Sequence, residues 1–372
     1  MGGVLDMLRY LSSGESHGRG LTAIIEGLPS NMPISIEAVD QMLFERQQGK
    51  GRGGRMRIEK DSVEVLSGIR GGYTLGSPMC LFIQNRDWDN WKNIMKAEGE
   101  VPAEGSLKRP RPGHADLAGA IKYNHRDIRN VLERASARET AIRTAVGAVA
   151  MQMISFFGID VDSSVISVAG TLLPDGQNIR ARQMEEAVRA AREAGDTVGG
   201  VLEVRVTGLP PGLGSYAHYD RRMDGRLAAA LMSIQGIKGV EFGLGFKAAE
   251  LFGSEVHDEI FYDNENGYFR KTNNAGGVEG GVTNGSPLTV RCALKPIPTL
   301  KKPVGSVDMD TKKAEKAGFE RSDVCVLEAA SVVAKAAAAW VIAVEFCEKF
   351  GGDSLGEMKA NYKNYVEYIR TT

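Results

Sequence analysis

The sequence predicts a mixed α/β fold, built as a single domain over residues 1–372. Three observations predict it. Segments with strand and helix periodicity alternate along the chain, and no linker-like or low-complexity stretch separates them. Ala-rich helical runs occur at 136–157 and 329–346, one in each half. A turn-to-strand motif occurs twice, as GGYTLGSPM (71–79) and GGVTNGSPL (280–288), with six identities in the first eight positions. GLP also recurs after a strand and before a helix, at 27–29 and 208–210. The echo suggests two related halves about a pseudo-twofold axis. Convergent turn chemistry is the alternative.

The elements follow in order. LTAIIEG (21–27) reads as a strand ending at the turn Gly27-Leu28-Pro29. Ser35 can cap a helix carrying Ile36, Val39 and Leu43 on one face. SVEVLSGI (62–69) and MCLFIQ (79–84) read as strands on either side of a turn-rich stretch. The helical run at 136–157 stops at Gly158, and DVDSSVISVAG (160–170) is the next strand. A helix at 182–194, a strand VLEVRVTG (201–208) and a helix near 220–234 come next. KGVEFGLGF (238–246) and LTVRCALK (288–295) are strands. Asp323 or Ser322 can cap a long helix ending at Gly351-Gly352, and a short amphipathic helix closes the chain.

Composition excludes several classes. With 42% apolar and 25% charged residues the chain is globular. A formal net charge of −1 disfavours a nucleic-acid binder, which carries an overall basic excess. Cys80, Cys292, Cys325 and Cys347 are far apart and form no CxxC pair. Reduced core cysteines in a cytoplasmic protein are expected, rather than a disulfide framework or a structural zinc site. The start MGGVLDMLRYLSSGES lacks the basic and apolar regions of a secretion signal. AASVVAKAAAAWVIAVEF (329–346) is interrupted by Lys335 and is short for a bilayer span, so a buried helix and no membrane association are expected.

The stretch RQQGKGRGGRMR (46–57) holds five basic residues, four glycines and no acid. Gly49, Gly51 and Gly54 fit GxGxxG literally, but a helix precedes them and none follows. Gly243, Gly245 and Ala248 fit GxGxxA after a strand, but the next helix is cut at Gly253. A dinucleotide site is therefore not expected, and no Walker A pattern occurs. An Arg-Gly arm for RNA would be long, repetitive and disordered, which this stretch is not.

Five histidines (His17, His114, His125, His218, His257) form no metal-ligand spacing. His17 in SGESHG and His114 in RPRPGHAD sit in loops among glycines. Each is either a structural histidine or a proton-transfer group working near neutral pH. ERASARET (133–140) puts Arg134 and Arg138 near the first turn of one long helix, and ERSD (320–323) puts Arg321 at the start of the other. Cations there oppose the helix dipole. Either a bound anion or pairing with Glu133 and Glu320 would relieve the conflict. Lys295 opens KPIPT, where two prolines fix an extended turn, and it either is solvated or faces a ligand.

Taken in order, SGESHG, RGGRM, IEKD, SGIRGGYTLGSP, RPGHADLAGAIKY, HRDIRNVLERASARETA, GGVEGGVTNGSPL, KPIPT, ERSD and CEKFGGD resemble the blocks of the chorismate synthase family. The resemblance implies a β-α-β sandwich with a helical core between antiparallel-rich sheets, usually assembled as a homotetramer. It implies 1,4-anti elimination of phosphate from 5-enolpyruvylshikimate 3-phosphate to give chorismate, the last common step of the shikimate pathway. Reduced FMN is required without net redox change, and NADPH is left open as the reductant.

By the same resemblance, His17 donates a proton to the departing phosphate. His114 stands beside the flavin, and Asp323 near flavin N5 assists the final proton transfer. Arg46, Arg52, Arg55, Arg111 and Arg138 are similar to the family's substrate-binding positions. Arg134, Ala135, Ser136, Gly280, Lys295, Pro296, Ile297, Pro298, Thr299 and Arg321 match positions that contact FMN. Gln235 and Gly236 do too, although the family usually has Asn- or Pro-Ala there. Substrate and cofactor together bring on the order of five to six negative charges, which demands several cations, preferably arginines. Glycines 49 to 54 would let the basic loop fold closely over such ligands.

Overall fold

Alternating apolar residues build two antiparallel sheets with the same strand order. The computed structural model describes residues 7–53, 59–102, 105–174, 177–264, 267–318 and 323–371. Strands β1 (Arg9–Gly14), β2 (Gly20–Glu26), β3 (Glu64–Ser67) and β4 (Met79–Gln84) form one sheet in the order β1-β2-β4-β3. Strands β5 (Asp160–Val168), β6 (Gly200–Thr207), β7 (Ile237–Phe242) and β8 (Leu288–Leu294) form the other in the order β5-β6-β8-β7. A two-residue strand, Thr171–Leu172, adds to its β5 edge. Period-two burial puts Leu21, Ala23 and Ile25 of β2 and Met79, Leu81 and Ile83 of β4 in the core. Leu202, Val204 and Val206 of β6 and Leu288, Val290 and Cys292 of β8 do the same in the second sheet.

The main helices are α1 (Ile36–Gln47), α2 (Asp116–Tyr123), α3 (Arg129–Ala135), α4 (Thr140–Ser155), α5 (Gln177–Glu193), α6 (Met223–Met232), α7 (Leu327–Phe350) and α8 (Leu355–Thr371). Helix α4 packs on the first sheet, α7 on the second, and the two pack on each other. Both are apolar nearly all round, which suits a helix enclosed by other layers. Their axes approach closely because Gly147 faces Ala336, where a Cβ at 147 would come within 2.5 Å of the Ala336 Cα. Farther along, Met153 Sδ lies 3.9 Å from Cys347 Sγ, and the Phe157 and Phe346 ring centroids are 4.3 Å apart. Contacts that advance in step mean parallel helices, with both N-termini at the same end of the molecule.

The repeat is real at the level of single hydrogen bonds. Thr74 and Thr283 are the shared threonines of the two GGxTxGSP motifs, and both are buried. Thr74 Oγ1 donates to the Pro29 carbonyl at 2.6 Å and accepts from Met32 N at 2.9 Å. Thr283 Oγ1 donates to the Pro210 carbonyl at 2.7 Å and accepts from Leu213 N at 2.8 Å. The bonded corners belong to the two GLP turns, and each contains a left-handed residue, Asn31 (φ 59) or Gly212 (φ 97). Shared strand order and shared buttresses make the two halves structural repeats of one another.

Several boundaries differ from the sequence expectation. Helix α4 begins at Thr140 rather than 136, because Ser136 is extended (φ −62, ψ 142) and its hydroxyl accepts from Arg138 N. A 3₁₀ turn, Ala137–Glu139, intervenes, so Arg134 ends α3 instead of opening the long helix. Asp323 does not cap α7, which starts after Val326 without a side-chain cap, and Ser322 lies outside the described residues. The apolar run at 329–346 extends into a 24-residue helix, long enough to cross a membrane, yet 83% of its apolar window is buried in the fold. The closing helix is also longer than expected, at 17 residues. Ser35 does cap α1, accepting from Ala38 N at 3.1 Å. All four cysteines are free.

Removing either buttress should cost about the same. Thr74→Val and Thr283→Val each strand a buried carbonyl and a buried N–H, so each should destabilise the fold by about 1–3 kcal/mol. The urea midpoints of the two variants measure this, and a loss confined to one of them would break the equivalence.

Candidate active site

The N-terminal ends of α4 and α7 open onto a cavity of about 450 Å³. Arg46 enters from the last turn of α1, and the segment 135–140 arrives just before α4. The 113–115 loop, Gln235 and Gly236 ahead of β7, the 295–299 segment after β8 and Asp323 complete the wall. Two helix N-termini therefore turn their dipole ends toward one space, a setting that favours anions.

The cations of this wall are held by buried carboxylates. Arg138 Nη1 donates to Asp61 Oδ2 at 2.7 Å, and its Nε donates to Asn85 Oδ1 at 2.9 Å. Arg46 donates from Nε and Nη2 to Thr140 Oγ1 at 3.0 and 2.9 Å, and its Nη1 lies 3.6 Å from Asp61. Burial lowers the Arg46 guanidinium to about 9, against the pull of Asp61 and with the push of Arg138. Arg46 Nη1 and Arg138 Nη2 are buried without a hydrogen-bond partner. Arg52 pairs with Asp323 at 2.9 Å, and Gly53 N donates to the same carboxylate. Val324 N donates to the Gly51 carbonyl at 2.8 Å and Lys50 N donates to Glu328, so residues 50–53 are latched against the entry to α7.

A second carboxylate organises the opposite wall. Asp116, fully buried at the start of α2, accepts from Arg111 Nε at 2.8 Å and faces His114 Nδ1 at 2.6 Å. Because an ionised carboxylate only accepts, His114 carries its hydrogen on Nδ1. Burial alone would raise the Asp116 carboxyl, but His114 and Arg111 hold it far below the usual carboxylate range. Lys295 Nζ donates to the Gly113 carbonyl at 2.6 Å, and Thr197 Oγ1 donates to the Ile297 carbonyl at 2.8 Å, fixing the proline-rich turn. Burial, and secondarily Lys238, lowers the Lys295 ammonium.

The family model described as chorismate synthase matches residues 8–347. The chain belongs to the chorismate synthase family. The chorismate synthase of Aquifex aeolicus is 51% identical, over 99% of each chain. That of Geobacter sulfurreducens is 53% identical, over 98% of this chain and 100% of its own. A solved structure described as a crystal structure of chorismate synthase is similar at a TM-score of 0.79 with 43% identity, covering 98% of this chain and 99% of that one. The α/β fold and the enzyme class expected from the motifs therefore both hold. The chain is a carbon–oxygen lyase that eliminates phosphate from 5-enolpyruvylshikimate 3-phosphate to form chorismate, in the shikimate pathway.

In this chorismate synthase fold, most residues singled out from the sequence line this cavity. They are Arg46, Arg52, Arg111, Arg138, His114, Asp323, Ala135, Ser136, Gln235, Gly236, Lys295, Pro296, Ile297, Pro298 and Thr299. His17 does not line it but stands directly behind the wall, where Ser16 Oγ lies 3.1 Å from Ser136 Oγ. Arg134 and Gly280 lie outside the cavity in this chain. Arg134 instead donates to the Gly14 and Ser12 carbonyls at the end of β1, and Gly280 (φ 60) turns the short hairpin that carries Thr283. Arg55 and Arg321 lie outside the described residues.

The supporting shell of Glu59, Asp61, Asn85 and Asp116, and Lys238 on the wall, are not among the sequence candidates, while Glu133, expected as a partner of Arg134 or Arg138, pairs instead with His17 and Arg129. One signal was available, since IEKD places Glu59 and Asp61 two apart, on one side of an extended segment. His114-Ala-Asp116 likewise pairs a histidine with a carboxylate at a spacing a helix start can close.

Asp116 gives a pH signature. Its folded value lies below its unfolded value, so its stabilisation is present above the unfolded value and is lost as pH falls. Asp116→Asn should be less stable than the wild type at neutral pH, and the gap should narrow below about pH 4. Denaturant titrations at several pH values measure it, and a constant gap would show that the charge is not the source.

Proposed function

We propose that the cavity holds reduced FMN and the phosphorylated enolpyruvyl substrate side by side. One observation carries this reading: Arg46 and Arg138 line the cavity, and their buried nitrogens Nη1 and Nη2 make no hydrogen bond, facing Asp61 and Glu59 only at ion-pair distances of 3.6 and 3.8 Å. Gln235 Oε1 is a third such atom, while its Nε2 is spent on Glu139 at 3.3 Å. Polar atoms left unsatisfied in a buried site are costly unless a ligand completes them, here an anion for the two guanidinium donors and a ligand N–H for the Gln235 oxygen. Two carboxylates, two phosphate monoesters and a polar ring edge would do so. The fit to FMN rests on these atoms, on the 235–236 and 295–299 backbone and on the helix ends.

Reduced flavin, when bound, supplies a reversible source of electron density to the substrate. The chain's residues do the rest. Arg46, Arg52, Arg111 and Arg138 orient the carboxylates and the phosphate, with Arg55 in the same role by resemblance. As the ring C–O bond breaks, the departing phosphate takes a proton, a role that falls to His17 by resemblance, although the ring stands behind the cavity wall in this structure. The ring C–H gives up its proton at the other end of the 1,4 system, where Asp323 assists the transfer. His114, fixed by Asp116, stands where it can stabilise the reduced ring. Arg134, Gly280 and Arg321 remain assigned to the FMN site by resemblance.

A homotetramer is also proposed. Tyr216, Phe246 and Phe252 are each more than 80% exposed, which suits contact with further copies. Free cysteines suit the reducing cytoplasm.

The deciding experiment is anaerobic. Mixing the chain with substrate and photoreduced FMN should release chorismate and phosphate in equal amounts. No chorismate, or tight RNA binding at physiological salt, would sink the reading. Replacing photoreduced FMN by FMN and NADPH reads whether the chain reduces its own flavin.

His17→Ala should lower turnover by roughly 10²–10⁴-fold with little change in substrate affinity. Full activity across the pH range would remove His17 from the general-acid role. Arg52→Ala should weaken binding of substrate more than binding of FMN in fluorescence titrations. Equal losses would argue against a mainly substrate-facing arginine.

A further inference from the structure

His17 is held by an unusually complete grip. Its backbone N donates to Glu133 Oε2 at 2.8 Å, and its Nδ1 lies 3.0 Å from both Glu133 oxygens. The neighbouring Ser16 N donates to the Glu133 carbonyl at 2.8 Å. The Glu133 side chain is only 1% exposed. On its other side it accepts from Arg129 Nη1 at 3.1 Å. The Trp91 ring stacks on the imidazole at 3.9 Å and an interplanar angle of 26°, and the Arg129 guanidinium sits 5.0 Å over the same indole. Carboxylate, indole and backbone together leave the ring one orientation.

The chemistry follows from that orientation. The carboxylate accepts only, so Nδ1 carries a hydrogen and any proton delivered to a substrate must leave from Nε2. A proton donor needs the doubly protonated ring, and an adjacent carboxylate favours that form. Arg129 shares the carboxylate, which keeps it ionised and tempers its pull on the imidazolium. Burial would raise the Glu133 carboxyl, but the His17 hydrogen bonds and charge and the Arg129 charge hold it below its usual value. Glu133 and Arg129 of α3 bring charge to this side of the ring, and the turn Trp88–Trp91 brings an indole to it.

We propose that Glu133, tempered by Arg129, is the positioning residue that presents His17 as a proton donor through Nε2. The proposal rests on the general-acid reading of His17. An alternative role for Glu133 is purely architectural, as the Arg129 partner that staples the 15–18 loop to α3. Charge helps to separate the two, because Glu133→Gln keeps the size and one acceptor oxygen while removing the charge and the second acceptor.

The test combines ¹⁵N-histidine NMR of the full chain with steady-state profiles. In Glu133→Gln the protonation midpoint of His17 should fall by about one pH unit or more, and its hydrogen should no longer be confined to Nδ1. Turnover should fall at least roughly tenfold with KM little changed, and its alkaline limb should move to lower pH. Glu133→Asp should restore most of the midpoint. Arg129→Met should shift the midpoint upward, and it serves as a second test should Glu133→Gln fail to fold. An unshifted His17 midpoint in either folded variant overturns the proposal. The outcomes stay distinguishable from failure of the general-acid reading: that failure appears as an active His17→Ala, whereas the NMR shift tests the Glu133 grip alone.

Discussion

The parallel packing of α4 against α7 is the constraint on which the rest depends. Gly147 lets the two helices meet at Ala336, and the contacts of Met153 with Cys347 and of Phe157 with Phe346 lie farther along both. Two parallel helices place two positive dipole ends on one side of the molecule. Residues of the segments that precede them, 135–140 and 323–326, thereby line the same cavity. The repeated strand order of the two sheets is the scaffold for this arrangement, since each sheet supports one helix of the pair.

A chain with a net charge of −1 still builds a site for polyanions. It does so by backing its cations with carboxylates placed behind the wall. Asp61 and Glu59 hold Arg138, and Asp116 holds Arg111 and His114. Such buried pairs are expensive to desolvate and are weak sources of stability by themselves. Their value lies in fixing guanidinium and imidazole groups before a ligand arrives, so that little ordering remains to be done on binding. The same logic extends to His17, whose ring is fixed by Glu133 and Trp91.

The strands that line the core were legible because period-two burial is a local property: MCLFIQ became β4 residue for residue. The doubled GGxTxGSP motif announced the pseudo-symmetry, because each threonine needs the same corner to satisfy its hydroxyl. Helix starts were less legible. The Ala-rich run masked the break at Ser136, where a hydroxyl competes with the backbone, and α2 and α3 lacked a periodic stripe long enough to read. Expecting Asp323 to cap α7 was reasonable from propensity, but a distant arginine, Arg52, claims that carboxylate.

By itself the sequence determined the residue types of the site: arginines, two loop histidines, glycines at close turns and the two prolines of the 295–299 turn. It also determined the family, because ordered blocks of motif survive without knowledge of any contact. Only the tertiary structure decided which of these residues share a cavity and which stand behind it. Arg46 and Arg138 are 92 positions apart yet both lie beside Asp61. His17 and Glu133, 116 apart, form one unit. Such pairings depend on where the chain returns after crossing two sheets, and no local periodicity or spacing encodes that return.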